Sequence, residues 1–182
     1  TGTVEITDAN TTDITATDIT TINGTNTGTI TVTNTIDLNG SGSEVAAAFT
    51  AIDTNTGNAT ANITGSDYTT AQLKTINDAT TGVIVLVDAS VNLSGTAAVL
   101  DAAFAGTVTT HTGTVTISDA PSVAQLKAIN AATTGAITLS TPTGALSGSV
   151  ADLKLAFAGS VTTHTGTVEI TDANTTDITA TD

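Results

Sequence analysis

The sequence predicts an α/β solenoid, in which parallel β-strands stack along one axis and each repeat unit, or rung, adds a short helix or turn. Three observations predict this fold: a long period, a shorter recurrence of Thr-Gly, and alternating apolar and polar residues after each Thr-Gly. Fixed-period repetition is typical of such architectures because each unit buries its apolar face only against its neighbours. A parallel β-helix is the alternative fold.

The long period is visible at the two ends of the chain. Residues 1–18 and residues 165–182 both have the sequence TGTVEITDANTTDITATD, so all 18 positions match at an offset of 164. We therefore expect residues 1–164 to form one full tandem repeat and residues 165–182 to begin the next. We also expect the parent protein to continue beyond this segment.

A shorter repeat lies inside the long one. The Thr-Gly dipeptides that begin at residues 1, 27, 56, 81, 112, 134 and 165 are separated by 26, 29, 25, 31, 22 and 31 residues, so short and long units alternate. Taken in pairs, the units give three double units, 1–55, 56–111 and 112–164. The sequence thus predicts six rungs in each 164-residue period.

A strand is predicted directly after each Thr-Gly. The second and fourth residues after the glycine are apolar, and the residues between them are mostly polar, which is the period-2 pattern of a half-buried strand. These apolar pairs are Val4/Ile6, Ile30/Val32, Ala59/Ala61, Ile84/Leu86, Val115/Ile117 and Ile137/Leu139. The strand at 83–87 differs because Val83, Val85 and Val87 make its second face apolar as well. We predict that this second face is an assembly face that contacts a partner.

A helix is predicted after each strand and turn. The helical segments are 43–52, 69–80, 96–106, 122–133 and 149–159. Thr69 with Gln72, and Ser122 with Gln125, have the spacing of a capping box. Gly106 and Gly159 suit the residue just after a helix C-terminus. The Thr-rich segment 15–24 occupies the equivalent place, but because Thr is a poor helix former, we expect it to be degenerate or extended.

The composition excludes several classes of function. The net charge is −14, with three Lys and no Arg, whereas nucleic-acid binding needs clustered basic residues. The chain has no Cys, which excludes disulfides, Cys-based metal sites and thiol catalysis. No run of 18 apolar residues is present, so we expect no membrane insertion in this segment.

Two phrases in the chain resemble a known group of proteins. AQLKAINAATTGAITL (124–139) and SGSVADLKLAFAG (147–159) are similar to tandem repeats of giant secreted or cell-surface proteins of bacteria, cyanobacteria in particular. The resemblance covers essentially the whole chain. It implies a surface location and a structural, adhesive or motility-related role, and it brings no catalytic residues.

Candidate metal ligands are few. Asp8, Asn10 and Asp13 in TDANTTD echo part of a calcium loop, and the segment recurs as Asp172, Asn174 and Asp177. Calcium needs six to eight oxygen ligands, and Asp and Asn are expected in turns for other reasons. We therefore predict no bound cofactor and keep calcium as a candidate ion at these three residues.

Two further sets of polar residues recur at equivalent positions. His111 and His164 lie in the segment VTTHTG, where we favour a solvated strand-end residue over a column of metal ligands. Asn23, Asn77 and Asn130 precede the next Thr-Gly, and we expect them to bond to backbone in the turn or to cap the helix.

The combined interpretation is a structural repeat of an extracellular or cell-surface filament, stalk or coat, and not an enzyme. Its expected partners are itself or neighbouring repeats. An adhesin is the alternative. Ice binding is a lesser alternative, because outward Thr rows such as Thr29/Thr31/Thr33 and Thr114/Thr116 form regular hydroxyl arrays on flat strands.

Overall fold

A computed structural model describes residues 2–173 of the chain. Within these residues the chain forms twelve short strands and six helices. The helices are α1 (Ala16–Thr25), α2 (Gly42–Ala51), α3 (Thr70–Ala79), α4 (Ala97–Phe104), α5 (Val123–Ala132) and α6 (Val150–Ala156).

Capping explains where several helices begin. The side chain of Thr69 accepts a hydrogen bond from the N–H of Gln72, whose side chain bonds back to the N–H of Thr69. Ser122 and Gln125 form the same reciprocal pair at the start of α5. Both predicted capping boxes are therefore confirmed, and each satisfies backbone N–H groups that a helix N-terminus leaves unpaired.

Helix α1 corrects the expectation for segment 15–24. The segment is helical despite its four Thr residues. The hydroxyls of Thr20 and Thr21 donate to the carbonyl of Thr17, at 3.0 and 2.7 Å, so they bond within the helix. Ile19 on the opposite face is almost fully buried. The packing of this apolar side chain outweighs the weak helix propensity of Thr, as tertiary contacts commonly do.

The strands are two to four residues long, and all their pairings are parallel. They are β1 (Val4–Ile6), β2 (Asp13–Thr15), β3 (Ile30–Val32), β4 (Asp37–Gly40), β5 (Thr54–Asn55), β6 (Thr60–Ile63), β7 (Ile84–Leu86), β8 (Leu93–Gly95), β9 (Val115–Ile117), β10 (Ile137–Leu139), β11 (Leu146–Gly148) and β12 (Val168–Ile170). They form four separate sheets, ordered β1-β3-β5, β2-β4-β6-β7, β10-β9-β8 and β11-β12.

The predicted solenoid is therefore wrong. The described strands fall into four small sheets, and no single ladder of strands continues along one axis. The parallel β-helix is wrong too, because six helices are present. The idea of a filament that lengthens by stacking rungs along an axis falls with the solenoid.

The solenoid prediction was wrong because the chain contains a second set of strands that the alternation pattern did not reveal. β2, β4, β8 and β11 lie just before helices, in addition to the strands that follow Thr-Gly. The two sets pair with each other: β4 with β6, β8 with β9, and β11 with β12. Since each strand offers only a few ladder hydrogen bonds, apolar alternation alone does not determine which strands pair.

The chain divides into two compact units. Unit 1 comprises residues 1–91 and 102–109, and unit 2 comprises residues 92–101 and 110–182. In unit 1, α2 packs against both α1 and α3, and in unit 2, α5 packs against α6. The cores are mainly aliphatic, with fully buried Ile30, Leu38 and Ile76 in unit 1 and Ile117, Leu126 and Ile129 in unit 2. The sequence-based division into periods and double units stays a prediction.

Among residues 2–173, no helix has the length and apolar character needed to cross a membrane.

Candidate functional site

The three calcium candidates lie around the turn between β1 and β2. The Oδ1 of Asn10 accepts a hydrogen bond from the N–H of Thr35 at 3.0 Å. The Oδ1 of Asp13 accepts one from the side-chain amide of Asn39 at 2.9 Å. Asp8 is exposed. Two of the three side chains thus already serve as acceptors within the fold.

Asp13 is one end of a ladder of polar side chains across β2, β4 and β6. The Nδ2 of Asn62 donates to the Oδ1 of Asn39 at 2.6 Å, and the Nδ2 of Asn39 donates to Asp13. A cleft of about 250 Å³ lies beside the ladder. The Oδ1 of Asn62 is shielded from solvent, and within the described residues it accepts no hydrogen bond. The ladder links three neighbouring strands through side chains as well as through backbone.

The described part of the chain contains no group of three or more His, Asp or Glu side chains that could hold a metal ion. Asn174 and Asp177, the copies of Asn10 and Asp13, lie outside the described residues. Calcium at Asp8, Asn10 and Asp13 stays a hypothesis, for which the turn provides fewer free oxygens than calcium prefers.

The two histidines have different surroundings from those expected. His111 is fully buried, and its Nδ1 lies 3.0 Å from the hydroxyl of Thr133. The hydroxyl of Thr133 also donates to the carbonyl of His111 at 3.1 Å. His164 is part-buried, with its Nε2 2.6 Å from the carbonyl oxygen of Gly144. The prediction of solvated residues is therefore wrong for His111, which serves to join neighbouring segments of unit 2.

Asn77 and Asn130 close the C-terminus of the helix that follows in sequence. In unit 2, the Nδ2 of Asn130 donates to the carbonyls of Leu155 and Ala156, at 3.0 and 3.2 Å, at the end of α6. In unit 1, Asn77 does the same to Ala102 and Ala103, at 3.1 and 3.2 Å. These carbonyls lie in the last turn of each helix, where backbone N–H partners run out, so the amide of one repeat unit supplies donors to the helix of the next.

Glycines complete these helix ends. Gly106 and Gly159 follow the two capped helices with φ of +74° and +72°, the left-handed conformation that glycine adopts without strain. The prediction of a C′ residue is confirmed for Gly106, two residues after the end of α4, whereas Gly159 lies one position further on, because the C-cap of α6 is Phe157.

The recurring Thr-Gly has a structural cause that the sequence alone did not show. A Cβ at Gly28 would lie 2.1 Å from the carbonyl oxygen of Gly2, and one at Gly57 would lie 2.1 Å from that of Asn34. In unit 2, a Cβ at Gly135 would lie 1.8 Å from the carbonyl oxygen of Gly113. Backbone therefore meets backbone at each of these steps, and glycine is required because any side chain would collide.

The predicted assembly face is exposed. Val83 is 44%, Val85 39% and Val87 62% exposed, so within the described residues the second apolar face of β7 is not covered. Val85 lies opposite Asn62 in the register of β6 and β7. Assembly through this face stays a prediction.

Charged side chains act mainly as local caps and links. In unit 2, Lys127 of α5 forms an ion pair with Asp152 of α6, with 2.6 Å between Nζ and Oδ1. The hydrogen bonds from Lys127 and then Ser149 hold the pKa of Asp152 below its ordinary value. In unit 1, the hydrogen bonds from Ser41 at the start of α2 lower the pKa of Glu44.

Tyr68 is a buried titratable group of unit 1. Its side chain is almost fully buried, and its hydroxyl donates to the backbone carbonyl of Asp88 at 2.7 Å. Burial, and to a lesser extent the Asp88 charge, raise the pKa of Tyr68 to about 12. The hydroxyl is thus a structural donor and not an acid-base group at neutral pH.

A cleft of about 420 Å³ lies between α5 and α6 in unit 2, with half-exposed Leu155 at its edge. None of its lining residues is aromatic; they are Lys127, Asn130, Ala131, Thr133, Thr134, Leu155, Ala158 and Gly159.

The geometry thus offers backbone junctions, side-chain caps and uncovered apolar strand faces. No protein-family model, curated protein or solved structure matches the chain.

Proposed function

We propose that this chain is a structural repeat of a large extracellular or cell-surface protein, in a stalk or a coat. The observation that carries the proposal is the identity of residues 1–18 and 165–182 at an offset of 164. Identity at all 18 positions that can be compared favours a role in which each copy does the same mechanical work.

The contacts between successive segments support a mechanical role. Backbone atoms meet at the Thr-Gly glycines, and Asn77 and Asn130 each tie one helix to the next. Parallel strand pairing adds ladder hydrogen bonds between segments 22–26 residues apart, for example Val4 with Ile30 and Leu146 with Val168. Each segment is thereby held by its neighbours, which suits a protein that must resist extension.

The charge of the chain suits an exposed location. A net charge of −14 keeps copies apart in solution and attracts cations. The resemblance of residues 124–139 and 147–159 to repeats of bacterial surface proteins points the same way. The proposed role requires no catalysis.

Lateral contact through Val83, Val85 and Val87 is part of this proposal. Three exposed valines, Val85 within β7 and Val83 and Val87 on either side of it, are an apolar patch that a neighbouring molecule would cover. Val85→Lys places a charge at the centre of the patch and should abolish lateral contact without unfolding the chain, because Val85 faces solvent. Lateral assembly unchanged by Val85→Lys would contradict this part of the proposal.

Adhesion is the alternative function, and the structure removes the basis for ice binding. An adhesin would be expected to present a concave, aromatic-rich surface, whereas only 2% of residues are aromatic. Ice binding would need a regular array of Thr rows on stacked strands, and the four separate sheets remove that geometric basis.

The test is surface labelling of intact cells of the source organism. An antibody raised against this chain should label intact cells as strongly as permeabilised cells, and brief protease treatment of intact cells should remove the signal. Labelling only after permeabilisation would refute the proposal. Surface labelling combined with loss of attachment, but no loss of coat or stalk, in a strain lacking the segment would favour the adhesin.

A further inference from the structure

Residues 2–173 contain six Asn-x-Ser/Thr motifs, and the structure separates one of them from the rest. This motif is the acceptor for a sugar on the Asn side chain, and it suits a surface loop of a secreted protein. The reaction uses the amide nitrogen of the Asn, and the motif requires the hydroxyl two residues later. The six asparagines are Asn10, Asn23, Asn39, Asn58, Asn62 and Asn92.

Two of the motifs are built into the sheet β2-β4-β6-β7. Asn39 lies in β4 and Asn62 in β6, and both strands are paired on both sides. The Nδ2 of Asn62 donates to Asn39 at 2.6 Å, and the Nδ2 of Asn39 donates to Asp13 at 2.9 Å. In both, the nitrogen that would carry a sugar is already bonded, and the backbone is held flat within the sheet.

At three other motifs, the hydroxyl residue belongs to a helix or a strand. The motif at Asn23 lies in α1, and those at Asn58 and Asn92 run into β6 and β8. The hydroxyl of Thr60, for example, donates to the carboxylate of Asp37 on the neighbouring strand. Regular structure therefore restricts how an enzyme could fold these segments into its site. The hydroxyl residues are Thr25, Thr60 and Ser94.

The motif at Asn10 lies instead in the loop between β1 and β2. The N–H of Thr12 donates to the carbonyl of Ala9 at 3.1 Å and closes a turn that has Asn10 and Thr11 at its tip. Residues 8–11 are exposed. Thr11 has a φ of +64°, a left-handed conformation that β-branched residues rarely adopt, so the turn bends sharply at this point. Asn10 is thus presented on an exposed, tightly bent segment.

The reacting groups of this motif are available. The Oδ1 of Asn10 accepts a hydrogen bond from the N–H of Thr35 at 3.0 Å, which orients the side chain. Within residues 2–173, the Nδ2 of Asn10 and the hydroxyl of Thr12 form no hydrogen bond. A sugar on Nδ2 leaves Oδ1 a carbonyl oxygen, so the bond from Thr35 would be retained. Modification of Asn10 therefore requires no change in the fold.

We propose that Asn10 is the attachment site of an N-linked sugar, transferred from a glycosyl phosphate or pyrophosphate. The Nδ2 of Asn10 attacks the anomeric carbon of the sugar, and a C–N bond forms there. The bond from that carbon to the phosphate oxygen breaks, the phosphate leaves with the electron pair, and one amide proton is released. The inference deepens the proposed surface role and rests on it, because the motif is used in secreted chains.

The modification would protect the most accessible backbone of the turn. Exposed loop tips are preferred sites of proteolysis, and a hydrated, uncharged sugar at Asn10 would cover residues 8–11. The motif recurs at Asn174, which lies outside the described residues. A tandem array would therefore carry a sugar at this motif once in every 164 residues.

Mass spectrometry of the whole chain, produced with an export signal in the source organism, tests the proposal. Cleavage after lysine gives a fragment 1–74 that contains Asn10 and a fragment 155–182 that contains Asn174, so the two copies are measured separately. Enzymatic removal of an N-linked sugar converts its Asn to Asp and marks the site. We expect the mark at Asn10, and unmodified asparagines at Asn39 and Asn62.

Two variants and a matched control identify the motif. Asn10→Gln and Thr12→Val should each abolish the sugar on fragment 1–74 and leave fragment 155–182 unchanged. Thr12→Val keeps Asn10, the β-branched shape and the N–H that closes the turn, so it removes only the hydroxyl that the motif requires. Asn23→Gln alters an exposed motif within α1 and should leave the sugar in place. Circular dichroism establishes that each variant is folded.

Three results would overturn the inference: a fragment 1–74 without sugar, a sugar on Asn39 or Asn62 in place of Asn10, or a Thr12→Val chain that is modified like the unmodified chain. A sugar on the hydroxyl of Thr11 or Thr12, with Asn10 bare, would overturn it as well. Surface labelling of cells does not depend on any of these outcomes. A labelled surface with a bare Asn10 would therefore refute this inference alone, whereas labelling only after permeabilisation would refute the proposed function.

Discussion

Raising the pH above 10 should destabilise the chain through Tyr68. The hydroxyl of Tyr68 is buried and donates to the carbonyl of Asp88 at 2.7 Å, and its pKa rises from an ordinary 10.0 to about 12. Because the folded state holds this proton more tightly, the free energy of unfolding is unaffected below pH 10. It falls as the pH rises from about 10 towards 12.

The magnitude follows from the two pKa values. A difference of one pKa unit is worth about 1.4 kcal/mol, so ionising Tyr68 should remove about 2.7 kcal/mol from the free energy of unfolding. That is a large part of the stability of a typical small domain.

The assay depends on the aromatic composition of the chain. Tyr68 is the only Tyr and there is no Trp, so near-ultraviolet absorbance of the phenolate reports this one group. The folded chain should titrate near pH 12, and the chain in denaturant near pH 10. Chemical denaturation at several pH values measures the stability.

Tyr68→Phe is the control. It removes the ionisable group but retains most of the packing, so its stability should fall less steeply above pH 10 than that of the unmodified chain. At neutral pH it should cost about 0.5–1.5 kcal/mol, the net value of the lost hydrogen bond. A folded chain whose phenol titrates at pH 10 would refute the reasoning, since it would mean that the hydroxyl is solvated.

Three further substitutions test the contacts between segments by chemical denaturation. Gly135→Val should cost more than about 3 kcal/mol, because its Cβ would lie 1.8 Å from the carbonyl oxygen of Gly113; a neutral effect would disprove the close backbone contact. Asn130→Leu should cost about 1–3 kcal/mol by removing the side-chain donor to the last carbonyls of α6, while Asn23→Leu on the exposed face of α1 should cost far less. Ser122→Ala should cost about 1 kcal/mol by removing the capping box of α5, and an unchanged midpoint would show that the cap contributes nothing.

Local features of the helices could be predicted from the sequence because their signals are local. The spacing of Ser122 and Gln125 specifies a capping box, and Gly159 marks a helix end. Segment 15–24 could not be predicted correctly, because α1 packs against α2 and β4, and its own sequence does not reveal these contacts.

The sheets could not be predicted for a related reason. Alternation identified the strands at 4–6 and 30–32, but β4 at 37–40 and β11 at 146–148 lie in polar or glycine-containing segments. Pairing of β4 with β6 depends on three-dimensional position, and no pattern within either strand specifies it. The prediction of a single ladder of strands was wrong for this reason.

The candidate sites also divide into features that a local sequence pattern predicts and features that depend on the fold. Exposure of Val83, Val85 and Val87 follows from the strand pattern and is found, whereas burial of His111 against Thr133 does not follow from its polar neighbours in VTTHTG. The contacts of Asn77 and Asn130 were expected only in general terms. Their acceptors lie 25–28 residues further along the chain, beyond the reach of a local pattern.

The glycine contacts at Thr-Gly have a consequence for how such a gene can change. The contact at Gly28 or Gly135 involves main-chain atoms alone, so the neighbouring residues can be substituted without loss of this contact. Unequal crossing-over between near-identical stretches of DNA removes or adds whole periods, and every new junction would again join glycine to a carbonyl. Loss or gain of whole repeats would therefore carry little structural cost, whereas replacement of one of these glycines by another residue would bring a side chain into collision with the backbone.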